Sequence, residues 1–237
     1  MLTHSPSGNY RFLAAEGRPF SSGIVADDGF DLVHARFERP VPLEAGFAGA
    51  ARHVIAAGRT ARAIAGFELR IPRPLSGGGF DDFNRAYVSS LKRLGLEVDG
   101  LMPAARTNVA PAVSGVSEPS VYAVTYTIPT RRVRPGFLLS GVPETEGHKH
   151  PDEMLDSIMK VLSARLDELG TTWDDATAIQ LYGLDDFQDA LMKNVLSQVG
   201  LAAIHGIQWF PSRPPIEGLK FEIDLRSTGT ELVLAAV

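Results

Sequence analysis

The chain contains no cysteine. That excludes disulfides, thiolate nucleophiles and cysteine-based zinc or iron–sulfur centres in one step. Basic charge is also short: 23 Lys and Arg face 28 Asp and Glu, for a formal net charge of −5. A general grip on nucleic-acid phosphates needs a net basic face, so no nucleic-acid partner is expected. The cluster Arg131, Arg132, Arg134 reads as a solvated linker. No apolar run reaches the ~18 residues that span a bilayer, and MLTHSPSGNYRF lacks the regions of a signal peptide. A soluble, cytoplasmic protein without a membrane partner is expected. The signatures G-x-S-x-G and H-E-x-x-H are missing as well.

What is present is a packed-core composition, 44% hydrophobic and 22% charged over 237 residues, and a phrase that occurs twice. GFDDFNRAYVSSLKRLGL (79–96) returns about a hundred residues later as GLDDFQDALMKNVLSQVGL (183–201). Phe83, Tyr87, Leu91 and Leu94 recur at helical spacing in the first, and Phe187, Leu191, Val195 and Val199 in the second. Both runs follow an Asp-Asp pair suited to a helix start and stop at Gly95 and Gly200. The spacing predicts two regular amphipathic helices of about three turns.

The flanks match too. Proline-started helices follow Pro42 (Phe47, Ala51, Val54 and Ile55 on one face) and Pro151 (Met154, Ile158, Leu162, Leu166 and Leu169 inward). Strand patterns follow: ARAIAGFELRIP and ATAIQLYGL, then ARTNVAP (105–111) and AIHGIQWFP (203–211), then SVYAVTYTIP (120–129) and LKFEIDLRS (219–227). Each half reads strand–helix–strand–helix–strand–strand. The expectation is an α+β chain of two tandem domains, 1–130 and 131–237, joined near TRRVRPG, with 30–129 superposing on 131–227. Helices should cover one sheet face in each half. The other face should present apolar positions such as Phe221 and Ile223, or Val121 and Ala123, which need a partner.

This order, with FLLSGVPETEG opening the second half, resembles the Rid family (reactive intermediate deaminase, also called YjgF). The resemblance rests on the turn SGVPE from Ser140 to Glu144, on Asp82-Phe83 and Asp186-Phe187, and on Asn84 with Tyr87. It rests above all on Arg106 in PAARTN. It implies a chorismate-mutase-like fold, a ring of domains and hence a homotrimer. It also implies a cofactor-independent hydrolase that releases ammonia from an enamine or imine carboxylate, such as 2-aminoacrylate or 2-aminomuconate. By that resemblance Arg106, Asn108, Ser140, Gly141, Asn84 and Tyr87 bind the substrate. Asp224, Glu222 and His205 carry proton transfer, with His205 standing where the second half would have its arginine. Such a reaction needs a carboxylate clamp, which a guanidinium fork supplies, and a proton-transfer group.

Plainer readings stand beside these. Arg106 is equally suited to a salt bridge across an interface. Glu222 and Asp224 fit any strand with one solvated face. His205 fits a hydrogen-bonded core or interface histidine. Ser76 to Gly79 reads as a flexible turn, since no G-K-[ST] follows. His148 and His150 read as a solvated loop near Asp152 and Glu153, with no metal expected. The alternatives to a deaminase are a chorismatase-like enzyme acting on a ring carboxylate, or a non-catalytic ligand-binding protein. Endoribonuclease activity comes last, because the chain has no basic stripe.

Overall fold

The computed structural model describes residues 2–14, 18–113, 115–134, 136–145, 147 and 149–235. The first half supplies β4 (Phe30–Pro42), α1 (Leu43–Ala56), β5 (Ile64–Arg70), α2 (Gly77–Arg93), β6 (Ala105–Pro111) and β7 (Ser120–Pro129). The second supplies β8 (Phe137–Pro143), α3 (Pro151–Leu169), β9 (Ala178–Gly183), β10 (Gln208–Phe210) and β12 (Phe221–Ser227). Strands run β4-β7-β5-β6 in one sheet and β8-β12-β9-β10 in the other, the same order in both. In each, the last pair is parallel and the rest antiparallel. This is a mixed α/β arrangement compatible with tandem domains.

The termini cross between the halves. β1 (Leu2–Ser5), β2 (Tyr10–Leu13) and β3 (Gly23–Ala26) extend the sheet of the second half through β3–β8 pairing. β11 (Ser212–Arg213) and β13 (Thr230–Leu234) extend the sheet of the first half, along β6 and β4.

α3 begins as expected, with Pro151 in its first turn, and stops at Gly170 in the left-handed region (φ 70°). α2 starts earlier than its Asp-Asp pair: the Ser76 hydroxyl accepts from the Gly79 N–H at 3.3 Å. The run Ser76–Gly79, read from sequence as a turn, is therefore the helix start. The second copy is not a regular helix. Gln188–Ala190 is α, Leu191–Leu196 is π and Gly200–His205 is 3-10. Ser197 and Gln198 side chains donate to the carbonyls of Lys193 and Asn194, offering that backbone partners outside the α pattern. The irregular winding still buries Phe187, Val195, Val199 and Ala202 in the core beneath α3.

The bare sheet faces are not apolar. Phe221, Ile223 and Leu225 pack under α3, and Val121 packs with the α1 and α2 core. The alternate residues of β12, Glu222, Asp224 and Arg226, are all buried instead of solvated. They point toward the other sheet, so each half covers the other. A charged layer lies between the sheets. Glu68 on β5 sits 3.2 Å from Arg70, 3.4 Å from His34 and 3.6 Å from Arg226. Burial, and then the Arg226 charge, push His34 down to about 4, so it is neutral at pH 7. A small apolar cluster including Tyr10, Phe12, Ile24, Ala65, Ala105 and Leu138 adds to this contact.

Glu68 is the anion shared by two buried guanidinium groups. Arg226 keeps Glu231 at 3.0 Å, but removal of Glu68 leaves Arg70 without its ion-pair partner, which costs about 3–5 kcal/mol in comparable sites. Glu68→Gln is expected to lower the urea midpoint by a corresponding amount, read by circular dichroism. An unchanged midpoint would show that the layer contributes nothing to holding the sheets together.

A candidate active site between the sheets

A cavity of about 480 Å³ opens where β6 and α2 of one half meet β8, α3 and β12 of the other. Arg106, Asn108, Asn84, Gly141 and Glu222 all line it. Five of the nine residues singled out from sequence thus converge on one pocket.

Arg106 is held at both ends. Its backbone N–H donates to Ser140 Oγ at 2.9 Å, and that hydroxyl donates to the Ser21 carbonyl at 2.6 Å. Its Nη1 donates to Asn84 Oδ1 at 2.9 Å. The guanidinium lies 4.2 Å from the Phe20 ring centroid and 4.8 Å from that of Tyr87, with Phe80 and Phe83 behind. Burial pushes Arg106 down to about 10, which leaves it a cation at neutral pH. Among the described residues no carboxylate lies within ion-pair distance of it.

Asn108, two residues along β6, is 3% exposed, and neither polar atom of its amide has a hydrogen-bond partner among the described residues. The Tyr87 hydroxyl beneath Arg106 is likewise unpartnered. Such atoms cost free energy unless something fills their valence. Glu222 faces them from β12. Burial first, then the neighbouring Asp224, push its carboxyl up to about 8, against the pull of Arg106. Gly141 makes room for it: a Cβ at that position would overlap the Glu222 carboxyl. Glycine is needed there for close approach.

Other expected site residues stand apart. Ser140 is fully used in positioning Arg106, and Tyr87 lies behind the guanidinium. Asp224 accepts from Tyr182 Oη at 3.1 Å in the charged layer and does not line the pocket. Burial and then Glu68 push it up to about 7. His205 is exposed at the end of the 3-10 turn, away from the cavity. It precedes β10, outside the paired strand.

Sequence reasoning missed Phe20, Arg18 and Arg165, which also line the cavity. Arg165 was detectable, because it falls on the inward stripe Ile158, Leu162, Leu169 of α3. Among the described residues no group of three or more His, Asp or Glu could hold a metal. His148 lies outside the described residues.

A family model described as 2-aminomuconate deaminase CnbZ matches residues 2–232. The chain belongs to this family. It is 36% identical, over 251 residues and 98% of both chains, to the 2-amino-5-chloromuconate deaminase of Comamonas testosteroni. Among solved structures it is similar to a chorismatase, at TM-score 0.49 and 13% identity, over 87% of this chain and 77% of that one. It is also similar to a YjgF/YER057c/UK114 family member from Mycobacterium tuberculosis, at TM-score 0.33 and 12% identity, over 41% of this chain and 81% of that one. The link to the Rid family is thus loose, and likeness at these scores carries no functional inference. CnbZ membership, by contrast, spans the whole charged interface and both walls of the cavity.

The raised Glu222 makes a stability prediction. A carboxyl whose folded value is about 8 contributes stability that is fully present below its ordinary value near 4.5 and is lost as pH rises through 8. Glu222→Gln mimics the neutral acid. Its melting temperature is expected to fall less than that of the wild type between pH 6 and 9, in phosphate and borate at constant ionic strength. Parallel curves would show that Glu222 is ionised throughout.

Proposed function

We propose that the protein is a muconate-type deaminase that hydrolyses an amino-substituted enamine carboxylate to the 2-oxo acid and ammonia. The observation that carries this reading is the pocket's composition. An unpaired buried guanidinium, an unpartnered amide and a neutral carboxyl face one space. Arg106 holds a substrate carboxylate by two parallel bonds. Asn108 meets the adjacent amino nitrogen, and Asn84 and Tyr87 keep the guanidinium in place.

Glu222 moves the protons. It delivers its proton to a chain carbon conjugated with the amino group, and the C=C electron pair shifts to form the C=N bond of an iminium. The carboxylate so formed takes a proton from water as the water oxygen bonds to the iminium carbon. The resulting carbinolamine is protonated on nitrogen by Glu222. The C–N bond then breaks, ammonia leaves, and the hydroxyl proton returns to Glu222 as the carbonyl forms. Enamine plus water give oxo acid plus ammonia, with the carboxyl restored, and no step needs a cofactor. A value near 8 suits this cycle, because an efficient acid–base group lies close to the working pH. Asp224 acts on Glu222 through its charge and touches no substrate.

The shared strand order of the halves fits two tandem copies of one α+β unit meeting near residue 130, with the site built from both. The copies then contribute different equipment: Arg106, Asn108 and Asn84 from the first, Gly141 and Glu222 from the second.

Freshly generated 2-aminomuconate is expected to yield one ammonia per molecule in a coupled assay. Glu222→Gln should lower kcat about 10²–10⁴-fold, the usual worth of a positioned acid–base group. Arg106→Lys should raise KM by an amount corresponding to about 1.5–3 kcal/mol while the melting temperature holds. Binding without any ammonia release would instead support the non-catalytic ligand-binding protein. A collapse of stability with normal binding by the folded fraction would make Arg106 structural.

A further inference from the structure

The cavity has a second positive pole. Arg165 occupies an inward position on α3, yet its Nη1 reaches out of the apolar core to the carbonyls of Ser140 (3.1 Å) and Ser22 (3.4 Å). Arg18, in the segment after β2, lies close enough for its charge to act on Arg165. Among the described residues neither guanidinium has a carboxylate within ion-pair distance. Asp81 at the rim and Glu168 on α3 offset some of this charge from further away.

Ser140 and Gly141 tie this pole to the first. The Ser140 hydroxyl accepts from the Arg106 backbone, its carbonyl accepts from Arg165, and the next residue faces the Glu222 carboxyl. Glu222 acts electrostatically on both arginines. A molecule bridging the two poles lies across the acid. One carboxylate would leave Arg18 and Arg165 facing each other unneutralised, whereas two carboxylates neutralise both ends.

We infer that Arg165, assisted by Arg18, is the specificity-determining clamp for a second carboxylate, so that the pocket selects an open-chain dicarboxylate over the corresponding monocarboxylate. This rests on the deaminase reading for the role of Arg106 and assigns the residues that hold the far end of its muconate-type substrate. The backbone carbonyls that fix Arg165 leave its remaining N–H groups for the ligand. Arg18, which is exposed, closes the rim over it.

The test uses two six-carbon dienes that differ only in the distal group, muconate (two carboxylates) and sorbate (one), titrated calorimetrically into the full chain. Wild type is expected to bind muconate at least about tenfold tighter, the equivalent of ~1.4 kcal/mol. Arg165→Gln should shrink that ratio to within about threefold, and Arg165→Lys should restore part of it, since it keeps the charge but not the fork. Arg18→Gln, on an exposed side chain that the fold does not use, should lower the ratio as well; thermal melts confirm that each variant is folded. Equal affinities in wild type, or a ratio unmoved by Arg165→Gln and Arg18→Gln, overturns the clamp. Ammonia release from 2-aminomuconate without any muconate preference also rejects the clamp but keeps the deaminase. A muconate preference lost in Arg165→Gln, with no ammonia release by wild type, keeps the clamp and rejects the deaminase.

Discussion

A guanidinium taken out of water with no anion to meet it is the constraint on which the pocket depends. Desolvating Arg106 is costly, and a structural arginine would offset that cost with a carboxylate. Here the offset is partial: an Asn84 carbonyl, a Ser140 hydroxyl on the backbone, and the faces of Phe20 and Tyr87. Each fixes the guanidinium and none neutralises it. Among the described residues the one carboxyl within electrostatic reach, Glu222, is itself so buried that it stays protonated near neutral pH. Positive charge is thereby stored for a ligand, and a neutral acid is stored beside it.

The two sheets make that storage possible. Polar faces that would be solvated on an isolated sheet meet one another, and the charged layer around Glu68 fixes how they meet. Asp224 belongs to that layer through Tyr182 and raises Glu222 from two residues away on the same strand. A change in the layer is therefore felt at the pocket as a change in acidity. The crossing of β1–β3 and β13 between the sheets ties each terminus to the opposite half, so neither half can move away without losing strand pairs.

Much of this was legible in the residues. The periodicities behind α1, α2, α3 and β12 were strong enough to place them, and the resemblance pointed to Arg106, Asn84, Gly141 and Glu222, which line one cavity. What escaped was non-local. No local pattern says that β3 pairs with β8, or that the last strand returns to β4. The second D-D-F phrase has the same apolar spacing as the first, yet Ser197 and Gln198 bond its carbonyls and the winding departs from α. His205 falls at the end of that irregular winding, and the strand after it is only Gln208–Phe210. The apolar residues of β12 were placed on the wrong face for a related reason: alternation gives two faces, but only packing tells which one the helices take. Arg165 was visible as a cation on an apolar stripe, a pattern with meaning only once the opposing wall is known.

The central claim is that Glu222 is a neutral acid in the resting protein, and infrared spectroscopy addresses it directly. A difference spectrum between wild type and Glu222→Gln, recorded across pH, isolates the carboxyl C=O stretch of this one residue. A protonated-carboxyl band present at pH 7 that titrates away near pH 8, and is missing in the variant, is the predicted result. A spectrum showing only carboxylate from pH 6 upward would contradict the account, because the pocket would then hold a base where the chemistry begins with an acid.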